Sequence, residues 1–382
     1  MKLAIRCPVV TALACLGIAS STPTRGADRD AVFSSSIEAL FQSWVEIRRT
    51  IHANPELSNE EEETAAFVAK RLSDLGLEVK TGVAKHGIIA LLKGTSRESD
   101  RCVALRADMD ALPIAELNSK PYRSKNVGVM HACGHDVHTT VSLGVAEVLA
   151  RHRDQFAGTV KFLFQPAEEG MPVTYLEDWG AKRMIAEGAM ENPRPAAIFA
   201  LHCRPTISPK GGRLETTQHL EAGQLSYTVG PDSANSDTFS VVIKGRMAHG
   251  SAPQRGVDAI TVAAEAITAL QTIRSRRTDT RQPLVLTIGT IQGGQRHNIL
   301  AEEVRFTGTL RTYDEAFRDE VVKMMYQILD GITAAHGASH TFDFREGYPS
   351  IFNDPALVEA TLPTLRRIVG EANLIESIPG MG

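Results

Sequence analysis

The sequence predicts an α/β fold: a largely parallel-sheet domain interrupted by an inserted ferredoxin-like βαββαβ module. Three observations carry that expectation. Short apolar runs alternate with helical patterns from Gly87 to Leu201. Reactive residues follow the runs: Glu168 and Glu169 come after Thr159–Phe164, and His202 ends Ala196–Leu201. Parallel sheets gather their sites at such strand ends. From about Asp237 the order changes to strand, helix, strand, strand, helix, strand.

Taken in order, the chain begins with Lys2 and Arg6, then a mostly apolar stretch from Pro8 to Ala19, then small and polar residues to Ala27. That pattern predicts a secretory signal over residues 1–27, too short to span a bilayer, and an exported protein, periplasmic or secreted. Cleavage fits after Ala19 or Ala27. Ile37, Leu40, Phe41, Trp44 and Ile47 give helical spacing over Ser36–His52, ended by Asn54-Pro55. Ser58 reads as the N-cap of a second helix, with Glu61 at the capping-box position, Thr64–Leu75 continuing and Gly76 stopping it. Gly87–Leu92, Cys102–Arg106, Thr159–Phe164 and Ala196–Leu201 read as strands, and Thr139–Arg151 as a helix. The catalytic domain is expected over 28–236 and 349–382, around a module at 237–348. That module has strands at Phe239–Ile243, Leu284–Ile291, Val304–Leu310 and Ser339–Phe344, and helices at Val257–Ile273 and Ala316–Ala335. Ala356–Val369 reads as a last helix.

At 382 residues and 43% hydrophobic, the chain can bury more than one core. A net charge of −4 and 5% aromatics leave neither an electrostatic footprint nor a stacking surface for nucleic acid. No other stretch is long enough for a membrane span once the signal is removed. Cys7 and Cys15 fall in the signal, leaving Cys102, Cys133 and Cys203. An odd number argues against a disulfide framework.

The chemistry concentrates in Val129-Met-His-Ala-Cys-Gly-His-Asp-Val-His138. Thiol and imidazole ligands at this density suit a zinc-like ion, and Gly134 lets Cys133 and His135 converge. Glu168 and Glu169 point in different directions as neighbours, so one can bind metal while the other accepts a proton. His202 is a further ligand candidate, and Asp108 or Asp110 can orient a ligand from behind. In the module, His249 precedes a helix and can donate to a substrate carbonyl; Arg311 can grip a carboxylate, with Asn298 on the same module. A metal-activated water with a carboxylate base is the equipment for hydrolysis.

On the blocks Arg106–Pro113, Met130–His138, Gln165–Gly170, Gly180–Gly188, His202, Ala248–Ile260, Gly308–Arg311 and Tyr348–Asp354, the sequence resembles the M20 metallopeptidase family, in its amidohydrolase branch of hippurate and auxin-amino-acid hydrolases. The resemblance implies a hydrolase of N-acyl amino acids or small peptide-like substrates. It implies two divalent ions per subunit, with zinc, manganese, cobalt and nickel all open. It implies an inserted lid or dimerisation domain and a homodimer. Carried over by block, Cys133, His135, Glu169 and His202 are ligands and Glu168 is the base, with Asp110 grouped beside it. His249 stabilises the oxyanion, in many relatives from the partner subunit, and Asn298 and Arg311 sit near the substrate carboxylate. Val137 stands where the family usually has Gly, and Gln254 where it has His. Relatives continue past the position of Met381-Gly382 to a last ligand histidine, so the resemblance leaves one ligand unassigned here. The alternative reading is a degenerate homologue that binds metal or amino-acid conjugates without turnover.

Overall fold

The computed structural model describes residues 23–170, 179–204 and 220–381, with side chains from Asp30 onward. The signal expected over residues 1–27 therefore lies largely outside the described residues. The chain forms two compact units, taken in turn.

The first unit holds the chain to Arg204, residues 220–226 and Glu359–Ile375. Helix α1 (Pro23–Ala53) starts well before the expected Ser36, and α2 covers Glu62–Asp74. Strands β1 (Glu78–Val83), β2 (Gly87–Lys93) and β3 (Cys102–Asp108) lead to α3 (His135–Arg151). Then come β4 (Thr159–Gln165), α4 (Gly180–Ala186) and β5 (Ala197–Ala200). The five strands form one sheet in the order β1-β2-β4-β3-β5.

The α/β class holds and, among the described residues, the sheet is largely parallel: β1, β3, β4 and β5 run the same way and β2 runs against them. β3 runs parallel to β4 and β5, while β2 is antiparallel to both β4 and β1. The reason lies in the connections. A tight turn through Ala84 and Lys85, both at positive φ, folds β1 back on β2. Residues 94–101 cross from β2 to β3 without a helix, so the chain reverses direction. β3 to β4 through α3, and β4 to β5 through α4, have the helical crossovers that parallel strands require.

Alternate strand residues face opposite layers. Ile88, Ala90, Leu92, Phe162 and Phe164 pack beneath α1, α2 and α3 with Trp44, Ile47, Val68, Leu72 and Leu149. Ile89, Ala104 and Leu163 face the other way, against Met184 of α4. Burial of this kind, at roughly 25 cal/mol per Å² of apolar surface, holds the layers together.

The expected capping box is not formed. Glu56 supplies the cap instead, accepting the N–H groups of Glu63 at 3.0 Å and Thr64 at 2.8 Å. Ser58 and Glu61 are thereby released for long-range contacts.

The second unit runs over Tyr227–Val358 with residues 376–381. Short strands β6 (Leu225–Tyr227) and β7 (Gly230–Ser233) precede β8 (Asp237–Lys244), α5 (Ala259–Thr272), β9 (Val285–Gly293), β10 (Glu303–Arg311), α6 (Glu315–His336) and β11 (Ser339–Arg345). The sheet order β11-β8-β10-β9, antiparallel throughout, is that of the expected βαββαβ module. Phe239, Val241, Ile243, Val304, Phe306 and Leu310 turn one face onto α5 and α6. Asp258 and Asp314 cap these helices by accepting the N–H groups of Ile260 and Phe317. β12 (Ile351–Asn353) pairs with β7; α7 (Pro355–Val369) and β13 (Leu374–Glu376), which pairs with β6, fall mostly in the first unit. Among the described residues, no helix is long and apolar enough to cross a membrane.

Candidate metal centre

Three strand ends in the first unit bring the reactive residues together. β3 ends at Asp108 beside Gln165 of β4, and β5 ends just before His202. The fourth contribution is a turn. Gly134 immediately precedes α3 with φ 89°. A Cβ there would lie 2.2 Å from Cys203 Sγ, so conformation and space both demand glycine. The helix thus starts at His135, earlier than the expected Thr139, with Cys133 and His135 on either side of the turn.

His135 is fully buried. Its Nδ1 donates to Asp110 Oδ1 at 3.1 Å, which leaves the Nε2 lone pair free. That nitrogen is buried without a hydrogen-bond partner among the described residues. It faces Glu168 Oε2 at 3.7 Å, Glu169 Oε1 at 3.6 Å and Asp108 Oδ2 at 3.8 Å. His202 is oriented in the same manner. Its Nδ1 donates to Cys203 O at 2.7 Å, turning Nε2 to Cys133 Sγ at 3.3 Å. The ligand atoms of Cys133, His135 and His202 lie within 4.8 Å of one another, as do those of His135, Glu168 and Glu169. Two imidazoles whose Nε2 atoms face a thiol and two carboxylates fit a divalent transition ion.

Electrostatics agree. Burial weakens the affinity of His135 for a proton, but the Asp110 bond, Cys133 and the Asp108 charge outweigh it and push its pKa up to about 11. The pocket attracts positive charge to Nε2, a proton or, in its place, a metal ion. Burial also raises Glu168 above the ordinary glutamate range; Arg106 opposes this, while Asp108 and Glu169 reinforce it. A carboxylate with raised proton affinity is suited to take and return a proton.

Asp108, His135 and His138 also converge within 4.8 Å. Here the partners are already spent. His138 Nδ1 donates to Asp108 Oδ1 at 2.7 Å, and Nε2 accepts the Cys203 N–H at 2.8 Å. Asp108 Oδ2 takes Arg106 at 2.6 Å. His138 is a brace between α3 and the His202 segment, a role the sequence reading missed. Its spacing from His135, one turn along a helix face, was the available signal.

The run 129–138 therefore divides by function. His131 is 4% exposed, in none of these groups, and its pKa is pulled by burial to about 4, so it stays neutral. Asp136 turns away to Arg48 at 2.7 Å and His52 at 2.8 Å, tying α3 to α1. His52 reaches Glu116 at 3.1 Å. Val137 packs against the first core. Asp110 is held in turn by Ser58 Oγ at 2.6 Å and the Glu169 N–H at 3.0 Å.

His249, Asn298 and Arg311 lie in the second unit. The Gly250 N–H donates to Asn298 O at 2.8 Å, which brings the first two together. The Ser251 N–H donates to His249 Nδ1 at 3.2 Å, so the neutral ring carries its proton on Nε2. Arg311 donates one N–H to Asn235 O at 3.2 Å.

The pattern matches known proteins. Residues 104–382 match the Peptidase family M20/M25/M40. The chain belongs to this family. An N-acyl-L-amino acid amidohydrolase of Geobacillus stearothermophilus is 42% identical over 306 residues, covering 80% of this chain and 76% of that one. An N-acetyl-L-cysteine deacetylase of Bacillus subtilis is 37% identical over 322 residues, covering 84% and 72%. Among solved structures, a dinuclear metal binding peptidase from the M20 family of Bacillus subtilis superposes with TM-score 0.73 at 31% identity, covering 90% and 84%. This M20 chain is a hydrolase, and its α/β unit with an inserted module is the M20 fold.

Proposed function

We propose that this M20 hydrolase cleaves the amide bond of N-acyl amino acids or similar small peptide-like substrates, using two divalent ions. The observation that carries the reading is the pair of histidines whose Nδ1 atoms are engaged and whose Nε2 atoms face a thiol and carboxylates. Cys133, His135, Glu169 and His202 would hold the ions, and Asp110 would orient His135. Zinc, manganese, cobalt and nickel all suit this donor set. When bound, such an ion polarises the carbonyl and lowers the pKa of water. Glu168 accepts the proton of the attacking water and delivers it to the departing nitrogen. His249 of the inserted unit would supply an Nε2–H suited to a developing oxyanion, and Arg311 with Asn298 would supply donors suited to the amino-acid carboxylate. The names of the two Bacillus and Geobacillus relatives support the substrate class.

The test is direct. Load the chain with each ion, measure metal per chain, and follow amine release from acetyl- and benzoyl-amino acids. A fully loaded chain that leaves the whole panel intact overturns the reading and favours a binding protein without turnover.

Two further features belong to the same reading. Export is supported by the composition of residues 1–27 and is checked by fractionating cells that express the whole chain. Homodimerisation through the inserted unit is supported by the exposed edge strand β9, unpaired on its outer side among the described residues, and is checked by sedimentation.

A further inference from the structure

Glu61 is a fully buried carboxylate that the hydrolytic scheme leaves unused. It stands at the start of α2 yet makes no side-chain bond to that helix. Its Oε1 instead accepts the N–H of Ala167 at 2.7 Å, 106 positions along the chain. Its Oε2 has no hydrogen-bond partner among the described residues. A carboxylate so placed is costly unless a specific contact is gained. Helix capping is not that contact, because Glu56 already supplies it.

The backbone at Ala167 shows what is gained. Ala167 has φ 49°, in the left-handed region that alanine rarely occupies. Relaxation to negative φ would swing the next residue, Glu168. Ala167 is itself fully buried, so water does not take the place of the Glu61 acceptor. On the far side of Glu168, the Glu169 N–H is held by Asp110 at 3.0 Å. The chain is thus pinned on both sides of Glu168 by buried carboxylates. One short segment serves both pins, since Ser58 Oγ donates to Asp110 at 2.6 Å.

We propose that Glu61 is a positioning residue: it clamps Ala167 in its left-handed conformation and so aims Glu168. It acts through Glu168 and touches neither substrate nor metal. Its effect on rate rests on the hydrolytic reading above; the clamp itself does not.

Glu61→Met keeps the volume and removes the acceptor, Glu61→Gln keeps the acceptor, and Ala167→Gly removes the conformational penalty. Hydrogen exchange at Ala167, measured on the full chain as purified, needs no turnover. Glu61→Met should speed that exchange about tenfold or more while α3 keeps its protection. In the metal-loaded chain the same variant should lower kcat about 10–100-fold, with KM within about threefold and metal content kept. Glu61→Gln should retain both protection and rate. In an Ala167→Gly background, Glu61→Met should cost much less rate, because glycine holds the turn unaided. Unchanged exchange at Ala167 in Glu61→Met, or equal losses in the two backgrounds, overturns the clamp. Should Glu61→Met not fold, Glu61→Gln decides: protection kept at Ala167 supports the clamp, and protection lost refutes it. A wild-type chain without turnover would overturn the hydrolytic reading, and the exchange result would still judge the clamp.

Discussion

His135 and His249 are both given roles in the proposed chemistry, and their surroundings are of opposite kind. His135 has no exposed surface, and its orienting partner Asp110 comes from 25 positions away. Asp110 is held in turn by Ser58, 52 positions from it, and by the Glu169 N–H. His249 is exposed, and its ring is held by Ser251, two positions on. A group braced by distant segments keeps its geometry before any ligand arrives, but its loss is felt by the whole unit. A group braced by its own loop is easily reoriented and carries little of the fold. Substitutions in the first setting should change stability together with activity, and in the second activity alone.

The largest effect is expected for His135→Ala. Metal binding and hydrolysis should both disappear. The unfolding midpoint should also fall, because the buried Asp110 loses the N–H that it accepts, a loss typically worth about 1–3 kcal/mol. Metal analysis and urea unfolding measure the two losses separately. An unchanged midpoint would break the comparison at its strongest point.

Glu168→Gln should separate activity from stability within the same unit. Glu168 is about a third exposed, and its side chain lies at the edge of the buried network. Turnover should drop about 10²–10⁴-fold with metal content and midpoint retained. Metal lost along with the rate would make Glu168 a ligand and not the base.

Asp110→Asn comes next. The amide still fills the space but no longer favours the neutral ring with a free Nε2. Metal affinity should fall about 10–100-fold, read by competition with a chelator. A separate contact, between His52 and Asp136, makes stability depend on pH. The Asp136 bond raises the pKa of His52 above 6.5 against the opposing effect of burial, and Glu116 adds to it. That contribution is complete below the unfolded value and is lost as pH rises through the folded one. His52→Gln should flatten the decline in unfolding midpoint over that window; an identical decline would remove His52 as its source.

The same contrast explains what could be read from the sequence. The inserted module was legible because each strand and helix shows one apolar face with the right period, as in Phe239, Val241 and Ile243. Cys133 and His135 were legible as a dense run of ligand types, and Glu168, Glu169 and His202 as reactive residues that follow strands. β1 was not, because an edge strand with Glu78, Lys80 and Thr81 lacks an apolar signal. The Ser58–Glu61 pair satisfied a local capping pattern, yet both side chains bond across the fold. His138 and Asp136 looked like members of one ligand cluster. Helical geometry sends them to Asp108 on one side and to Arg48 and His52 on the other. Spacing along the chain does not reveal which partner a buried polar group will find when that partner is far away in sequence.

The smallest effect is expected at Arg311, and it tests the exposed side of the comparison. Arg311 is half-buried at the end of β10, where a single N–H reaches Asn235 O at 3.2 Å. Its remaining guanidinium donors can receive a carboxylate as a planar fork, which lysine cannot reproduce. Arg311→Lys should therefore raise KM for an N-acyl amino acid about tenfold, equivalent to about 1.4 kcal/mol, with kcat close to wild type. The unfolding midpoint should stay within about 0.5 kcal/mol, since one weak bond to a backbone carbonyl is all that the fold loses. An N-acyl amine without the carboxylate supplies the control: its KM should be the same for both chains. A tenfold rise for both substrates would mean that lysine disturbs the loop and not the carboxylate contact. A midpoint lowered by more than about 1 kcal/mol would show that the bond to Asn235 braces the second unit as Asp110 braces the first, and the contrast between the two settings would fail at this residue.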